Sequence, residues 1–397
     1  MSSRASVAEL GEFGLIARLA GTLAWPSAPG LAPGLKLGIG DDAAVWAPTP
    51  ATWSVITTDA LVENVHFRLR TTSWHDLGWK SLAVNLSDVA AMGARPRYAV
   101  VCLGVPGDVA VAAIDEFGRG LAEAGARYGT ALVGGDTVAA PCATISVTVV
   151  GETPPAPPGE EPPLLRRAAG RVGDALAVTG TLGASAGGLR LLEATAAPAA
   201  RDVPTAAPLA AHGTAANARH DESAELTAAG FRERRPSVAA DAGLDARPDA
   251  DAAALRAAHL RPTPRVAAAA LLLEHGVRCA MDLSDGLLGD AQRLADASDV
   301  GVVVEAARVP VAPALARRFP DAALALALGG GEDYELLCAA PADVLAAAAA
   351  ALAAAGEPPL TIVGRLVAPP AAGPRVQVVD AAGAPVTVSG GYVHFRS

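Results

Sequence analysis

Five short polar segments, each carrying aspartate beside glycine, serine or threonine, interrupt an otherwise apolar chain. They constrain its architecture more than any other feature. They are Gly38-Ile39-Gly40-Asp41-Asp42, Thr57-Thr58-Asp59, Asn85-Leu86-Ser87-Asp88, Gly134-Gly135-Asp136-Thr137 and Asp282-Leu283-Ser284-Asp285-Gly286. Each places aspartate at the end of an apolar run or inside a polar turn, and a buried carboxylate is costly unless paired or metal-bound. Taken singly, such a segment is more often plain turn or cap chemistry. Five of the same character, converging on one cleft, would make a polynuclear magnesium site. Mg2+ takes oxygen ligands, usually one or two carboxylates with water and substrate phosphates.

The intervening segments read as alternating strands and helices. Ala51–Asp59 is a strand ending in a polar turn, and Ser73 caps a helix that runs to about Met92, stopped by Gly93 and Pro96. Tyr98–Val105 is a strand, Val109–Tyr128 a helix, Thr130–Val133 a short strand entering Gly134-Gly135-Asp136, and Ala143–Gly151 a strand. The proline-rich stretch Pro154–Pro163 marks a break near a domain boundary. Asp174–Thr179 then reads as a strand and Ser185–Glu193 as a helix. Residues 196–256 lack any sustained period and are rich in Ala, Pro, Asp and Arg, the pattern of a largely disordered insertion. Order resumes near Leu260 with helix Arg265–His275, strand Cys279–Leu283, helix Gly286–Ser298 and strand Gly301–Glu305, then a helix and a strand near Val344 and Thr361.

Composition excludes several classes. Net charge is −10, so the broad basic surface that nucleic acid requires is missing, and a polyphosphate ligand would need cations to neutralise its approach. The four cysteines (Cys102, Cys142, Cys279, Cys338) form no CxxC pair and read as buried thiols of a reducing compartment. Glu9 and Glu12 interrupt any apolar run at the N-terminus, which argues against a signal peptide. The alanine-rich run from Val344 to Gly356 is too short to span a bilayer. A cytoplasmic protein without a membrane partner is expected. Only two lysines occur, Lys36 and Lys80, and neither follows glycine, so there is no P-loop.

The ordered series GEFGLIARL, GIGDDAAV, TTDALVENVHF, KSLAVNLSDVAAMGA, LVGGDT, VTGTLGASAGGL, LRPTPR, AMDLSDGL, GGGEDYELL and GYVHF closely resembles the thiamine-monophosphate kinase family. That family shares a superfamily with aminoimidazole ribonucleotide synthetase and selenophosphate synthetase. The resemblance covers nearly everything outside the 196–256 insertion. It implies a two-domain aminoimidazole ribonucleotide synthetase-like fold, α/β plus α+β. An N-terminal α/β ATP- and Mg-binding domain would span 1–168, with its sheet pairing across a homodimer, and an α+β domain 169–397. The site would lie in the cleft between domains.

Carried over position by position, the resemblance implies that Asp42, Thr57, Thr58, Asp59, Asp88, Asp136, Asp282 and Asp285 hold several Mg2+ ions. Gly135, Asp136, Arg167 and Ser284 would meet ATP. His66, Glu332 and Tyr392 would position thiamine monophosphate. The implied reaction is direct in-line transfer of the γ-phosphate to an acceptor already deprotonated near neutral pH, with no covalent nucleophile. Two departures stand out: Val393 replaces the aspartate usual before the terminal histidine, and the insertion enlarges a normally shorter connection. The alternatives are another ATP-dependent enzyme of the superfamily with a different small acceptor, or a catalytically silent nucleotide-binding homologue.

Overall fold

The computed structural model describes residues 6–22, 34–39, 43–195 and 249–386. Asp42, Tyr392, Val393 and residues 196–248 therefore lie outside the described residues. The chain on both sides of the 197–249 segment forms one compact unit.

The N-terminal half opens with helices α1 (Val7–Leu10) and α2 (Glu12–Thr22) and a ribbon of β1 (Leu35–Leu37) and β2 (Val45–Trp46). Ser6 starts α1 as a capping box, its hydroxyl accepting from Glu9 N while Glu9 Oε2 accepts from Ser6 N. A four-stranded sheet follows, built from β3 (Ser54–Val62), β4 (Arg95–Val105), β5 (Ala131–Ala139) and β6 (Thr144–Glu152) in the order β3-β6-β4-β5. Only the β4/β5 pair is parallel.

Helices α3 (Trp74–Ala91) and α4 (Val111–Tyr128) cover one face of this sheet. They cross so closely that a Cβ on Gly78 would come within 2.0 Å of Phe117 O, and one on Gly120 within 1.9 Å of His75 O. Glycine is required at that crossing. The helix α3 starts where Ser73 Oγ accepts from Asp76 N, and its Leu77, Leu82, Leu86 and Val89 are fully buried.

The C-terminal half contains β7 (Ala175–Thr179), α5 (Ala184–Thr195), α6 (Ala250–Leu260), α7 (Val266–Glu274), β8 (Cys279–Asp282), α8 (Leu287–Ser298) and β9 (Gly301–Glu305). It continues through α9 (Pro313–Arg318), α10 (Ala323–Gly329), β10 (Leu336–Ala340), α11 (Ala342–Ala354), β11 (Leu360–Val367) and β12 (Val376–Val379). Its six-stranded sheet runs β12-β9-β11-β7-β10-β8, antiparallel except for β12/β9. Buried Val, Leu and Ala dominate its core, as the low aromatic content required.

Several expectations need correction. Thr57-Thr58-Asp59 does not form a turn but sits in the middle of β3, and Gly134–Thr137 lies within β5. Order resumes at Ala250 rather than after residue 256. Ala252, Leu255 and His259 fall on one face of α6 and are buried, which holds this Ala-rich segment as a helix. Cys102 is exposed and Cys142 half-buried, so only Cys279 and Cys338 are buried thiols.

Candidate active site

Because β3 is a strand, its side chains alternate between faces. Thr57 and Asp59 turn inward to α3, where Thr57 Oγ1 donates to Asp88 Oδ2 at 2.6 Å. The edge position of β3 leaves the Asp59 N–H without a strand partner, and Asn85 Oδ1 accepts it at 2.9 Å. Thr58 turns outward, and its hydroxyl donates to Val147 O at 3.1 Å. The same alternation places Asp136 on the outer face, beside exposed Cys102. Asp136 is three strand spacings from the β3 edge, roughly 14 Å. One chain thus gathers Thr57, Asp59 and Asp88 but leaves Thr58, Gly135 and Asp136 elsewhere. The outer face also exposes Ile56, Val100 and Val138.

Asp282 ends β8 with 2% exposure and accepts a hydrogen bond from Ser87 Oγ at 2.8 Å. Burial, then the neighbouring Asp88 charge, pushes its carboxyl up to about 7. Loss of hydration, then Asp88 and Asp285, pushes Asp59 up to about 6. Burial also raises Asp88, against the lowering effects of the Thr57 bond and Arg167. Asp59, Asp88, Asp282 and Asp285 therefore form one group of mutually repelling carboxylates, relieved in part by Arg167. Arg293 holds Asp285 Oδ2 at 2.5 Å.

Such a donor set fits a hard divalent cation. Among the described residues no three or more Asp, Glu, His or Cys are drawn tightly enough to hold a metal unaided. Mg2+ does not require that, since water and phosphate complete its shell.

A second carboxylate group adjoins the first. Gly330 and Gly331 lead into Glu332 and Tyr334, both at positive φ (66° and 51°). Glu332 N donates to Ser284 O at 2.8 Å and Tyr334 N to Leu283 O at 2.9 Å, stitching this turn to the end of β8. Glu332 Oε1 pairs with Lys80 Nζ at 3.0 Å, and Oε2 lies 3.2 Å from His259 Nδ1. Burial would raise Glu332, but Lys80, His259 and His66 outweigh it and hold the carboxyl below its ordinary value. His66, in the turn after β3, accepts from Val62 N at 3.1 Å through Nδ1. Beyond them, Asp333 accepts from Gly183 N and Ser185 N, and Glu335 is gripped by Arg265 and Thr179.

Residues 40–153 match the sequence model of the AIR synthase related protein, N-terminal domain, and residues 171–377 that of its C-terminal domain. The thiamine-monophosphate kinase of Escherichia coli K12 is 35% identical over 335 residues, covering 84% of this chain and 85% of that protein. The chain belongs to the thiamine-monophosphate kinase family. The crystal structure of the thiamine-monophosphate kinase from Stenotrophomonas maltophilia K279a is 34% identical with a TM-score of 0.68, covering 92% of this chain and 95% of that one. AaThiL complexed with AMPPCP and TMP is 28% identical with a TM-score of 0.64, covering 99% and 100%.

For this thiamine-monophosphate kinase family member, the sequence did not flag Lys80, His259, Tyr334 or Arg293 as site residues. Lys80 had the one available signal, a lysine inside an apolar helical pattern in a chain with only two. Burial raises the Tyr334 hydroxyl, as do the charges of Glu332, Asp282, Asp59 and Asp88, so it senses both carboxylate groups.

Proposed function

We propose that this chain transfers the γ-phosphate of ATP to thiamine monophosphate, giving ADP and thiamine diphosphate. The observation that carries this reading is the junction at the end of β8. There, in a chain of this family, a repelling aspartate group and the self-paired Glu332 turn meet through the Ser284–Glu332 backbone bond.

Asp42, Thr57, Asp59, Asp88, Asp282 and Asp285 would hold Mg2+, which supplies charge neutralisation between donor and acceptor phosphates. Thr57 fixes Asp88, Asn85 fixes the β3 backbone at Asp59, and Ser87 fixes Asp282. Arg167 and Ser284 would meet the ATP phosphates. On the acceptor side, His66, Glu332 and Tyr392 orient thiamine monophosphate. An aromatic ring at Tyr392 suits a cationic heterocycle, because the ring face attracts positive charge. The acceptor phosphate is its own nucleophile, so no side chain need remove a proton or carry the phosphoryl group.

The outer-facing Thr58 and Asp136, with Gly135 next to Asp136 on β5, enter this scheme as residues of a homodimer contact, where they would meet the nucleotide and metal of the partner subunit. The exposed Ile56, Val100 and Val138 on the same face support such a contact. We place the domain boundary near residues 168–169 and the protein in the cytoplasm. No helix among the described residues is long and apolar enough to cross a membrane. The test is incubation of pure protein with Mg-ATP and thiamine monophosphate. Thiamine diphosphate appearing with ADP is expected. ATP binding without product would instead mark a silent homologue.

A further inference from the structure

The side chain of Lys80 is 2% exposed. A buried ammonium is costly unless it is paired, and its partner is Glu332 Oε1 at 3.0 Å. Glu332 occupies the left-handed region at φ 66°, a conformation that a residue with a side chain keeps only when its surroundings impose it. His259 is the weaker partner: burial, then the adjacent Lys80, holds its imidazole down to about 4. Its Nδ1 is also 3.0 Å from Ser185 Oγ. Lys80 is therefore the principal cation on the Glu332 carboxylate, ahead of His259 and His66.

The position of Lys80 on α3 gives this contact a second meaning. Ser87, which donates to Asp282, stands at i+7 from Lys80 and so on the same face of the helix, about 10 Å along its axis. One buried helix thus grips Glu332 from its first half and the aspartate group from its second. Asp88 and Asn85 tie the same helix to β3.

We propose that Lys80 is a positioning residue: from α3 it fixes the Glu332 carboxylate at a set spacing from Asp282, so that α3 acts as the ruler between acceptor and donor phosphate. The proposal rests on Glu332 serving the acceptor side. Lys80 itself is covered by protein, so it acts through Glu332. With Lys80 on Oε1, Glu332 presents its remaining lone pairs in a fixed direction rather than as a free counter-charge.

The test compares the full-length wild type with K80M, E332Q and the K80M/E332Q double variant. KM is measured for thiamine monophosphate at saturating Mg-ATP, and for ATP at saturating acceptor. Each single variant is expected to raise the acceptor KM about tenfold or more while leaving the ATP KM within about twofold. The double variant is expected to be no worse than the worse single one, because both remove the same pair. If E332Q raises the acceptor KM and K80M merely lowers thermal stability, the positioning role is overturned while the acceptor reading stands. If E332Q leaves the acceptor KM unchanged, the acceptor reading falls and the proposal with it. Should K80M fail to fold, the double variant, which leaves no unpaired buried carboxylate, decides the matter. An acceptor KM equal to that of E332Q supports the ruler, and a further rise of about tenfold overturns it.

Discussion

The two carboxylate groups at the end of β8 are neighbours with opposite electrostatics. Glu332 is supplied with Lys80 and held below its ordinary value, whereas Asp59 and Asp282 face other carboxylates and are pushed up to about 6 and about 7. Deeper in the fold, Glu335 also carries its own cation, with Arg265 on both oxygens, although burial still leaves its carboxyl raised. A group that carries its own counter-charge is finished when the chain folds, and its geometry is available to orient a ligand. A group left with net repulsion is finished only when a cation arrives. The site thus separates orientation, which the protein supplies, from charge neutralisation, which it leaves to metal and nucleotide.

Breaking the unfinished side has the largest effect on activity. Asp59→Asn is expected to lower kcat by roughly a thousandfold or more at saturating Mg2+, the scale of losing a preorganised electrostatic contact, with an unchanged circular dichroism spectrum. Near-normal turnover would remove Asp59 from the metal set. Breaking the finished side should instead show in stability. Arg265→Met strands Glu335, which is 3% exposed, and should cost on the order of 3 kcal/mol in urea unfolding.

The sharpest discriminator is a change of opposite sign. Asp282→Asn should stabilise the metal-free protein at pH 8, by on the order of 1 kcal/mol, because it removes a charge that folding forces against its neighbours. The gain should shrink as pH falls through the folded value of about 7, and vanish below about pH 4, where the carboxyl is protonated folded and unfolded alike. The smallest effect is the pH dependence of the wild type without metal. A carboxyl whose folded value is raised binds protons more tightly folded than unfolded, so stability is full below about pH 4 and is lost as pH rises through 6 to 7. Mg2+ should flatten that decline in the Asp59 and Asp282 contribution, read as the midpoint of thermal unfolding with and without the ion at each pH.

The finished and unfinished sides also differed in how legible they were. The helix α3 could be bounded almost to the residue because its signals are local: Ser73 caps it, and Gly93 and Pro96 follow it. The aspartates of the cluster were visible as residues beside Gly, Ser and Thr. Their setting is not, since the local pattern of Thr57–Asp59 and Gly134–Thr137 is that of polar turns. Each is strand because of a distant partner: Asn85 satisfies the edge N–H of Asp59, and Gly135 leaves room for Val101 O, which would lie 2.1 Å from a Cβ there. A turn lacks the alternation that, in the strands, sends Thr58 and Asp136 to the opposite face. The pairs that complete the other side, Lys80 with Glu332 and Arg265 with Glu335, join residues far apart in the chain, and no local pattern announces them. Helix α6 carries no local signal because its composition continues that of the insertion, while its apolar face is buried against α5 and α9.

The central claim is that the aspartates hold metal and the phosphoryl group passes directly between two bound phosphates. Stereochemistry at the transferred phosphorus tests it most directly, using ATP made chiral at the γ-phosphate with oxygen isotopes and sulfur, thiamine monophosphate and this enzyme. A single in-line transfer predicts inversion in the thiamine diphosphate formed. Retention would require an even number of transfers and a phosphorylated side chain, and would contradict the account.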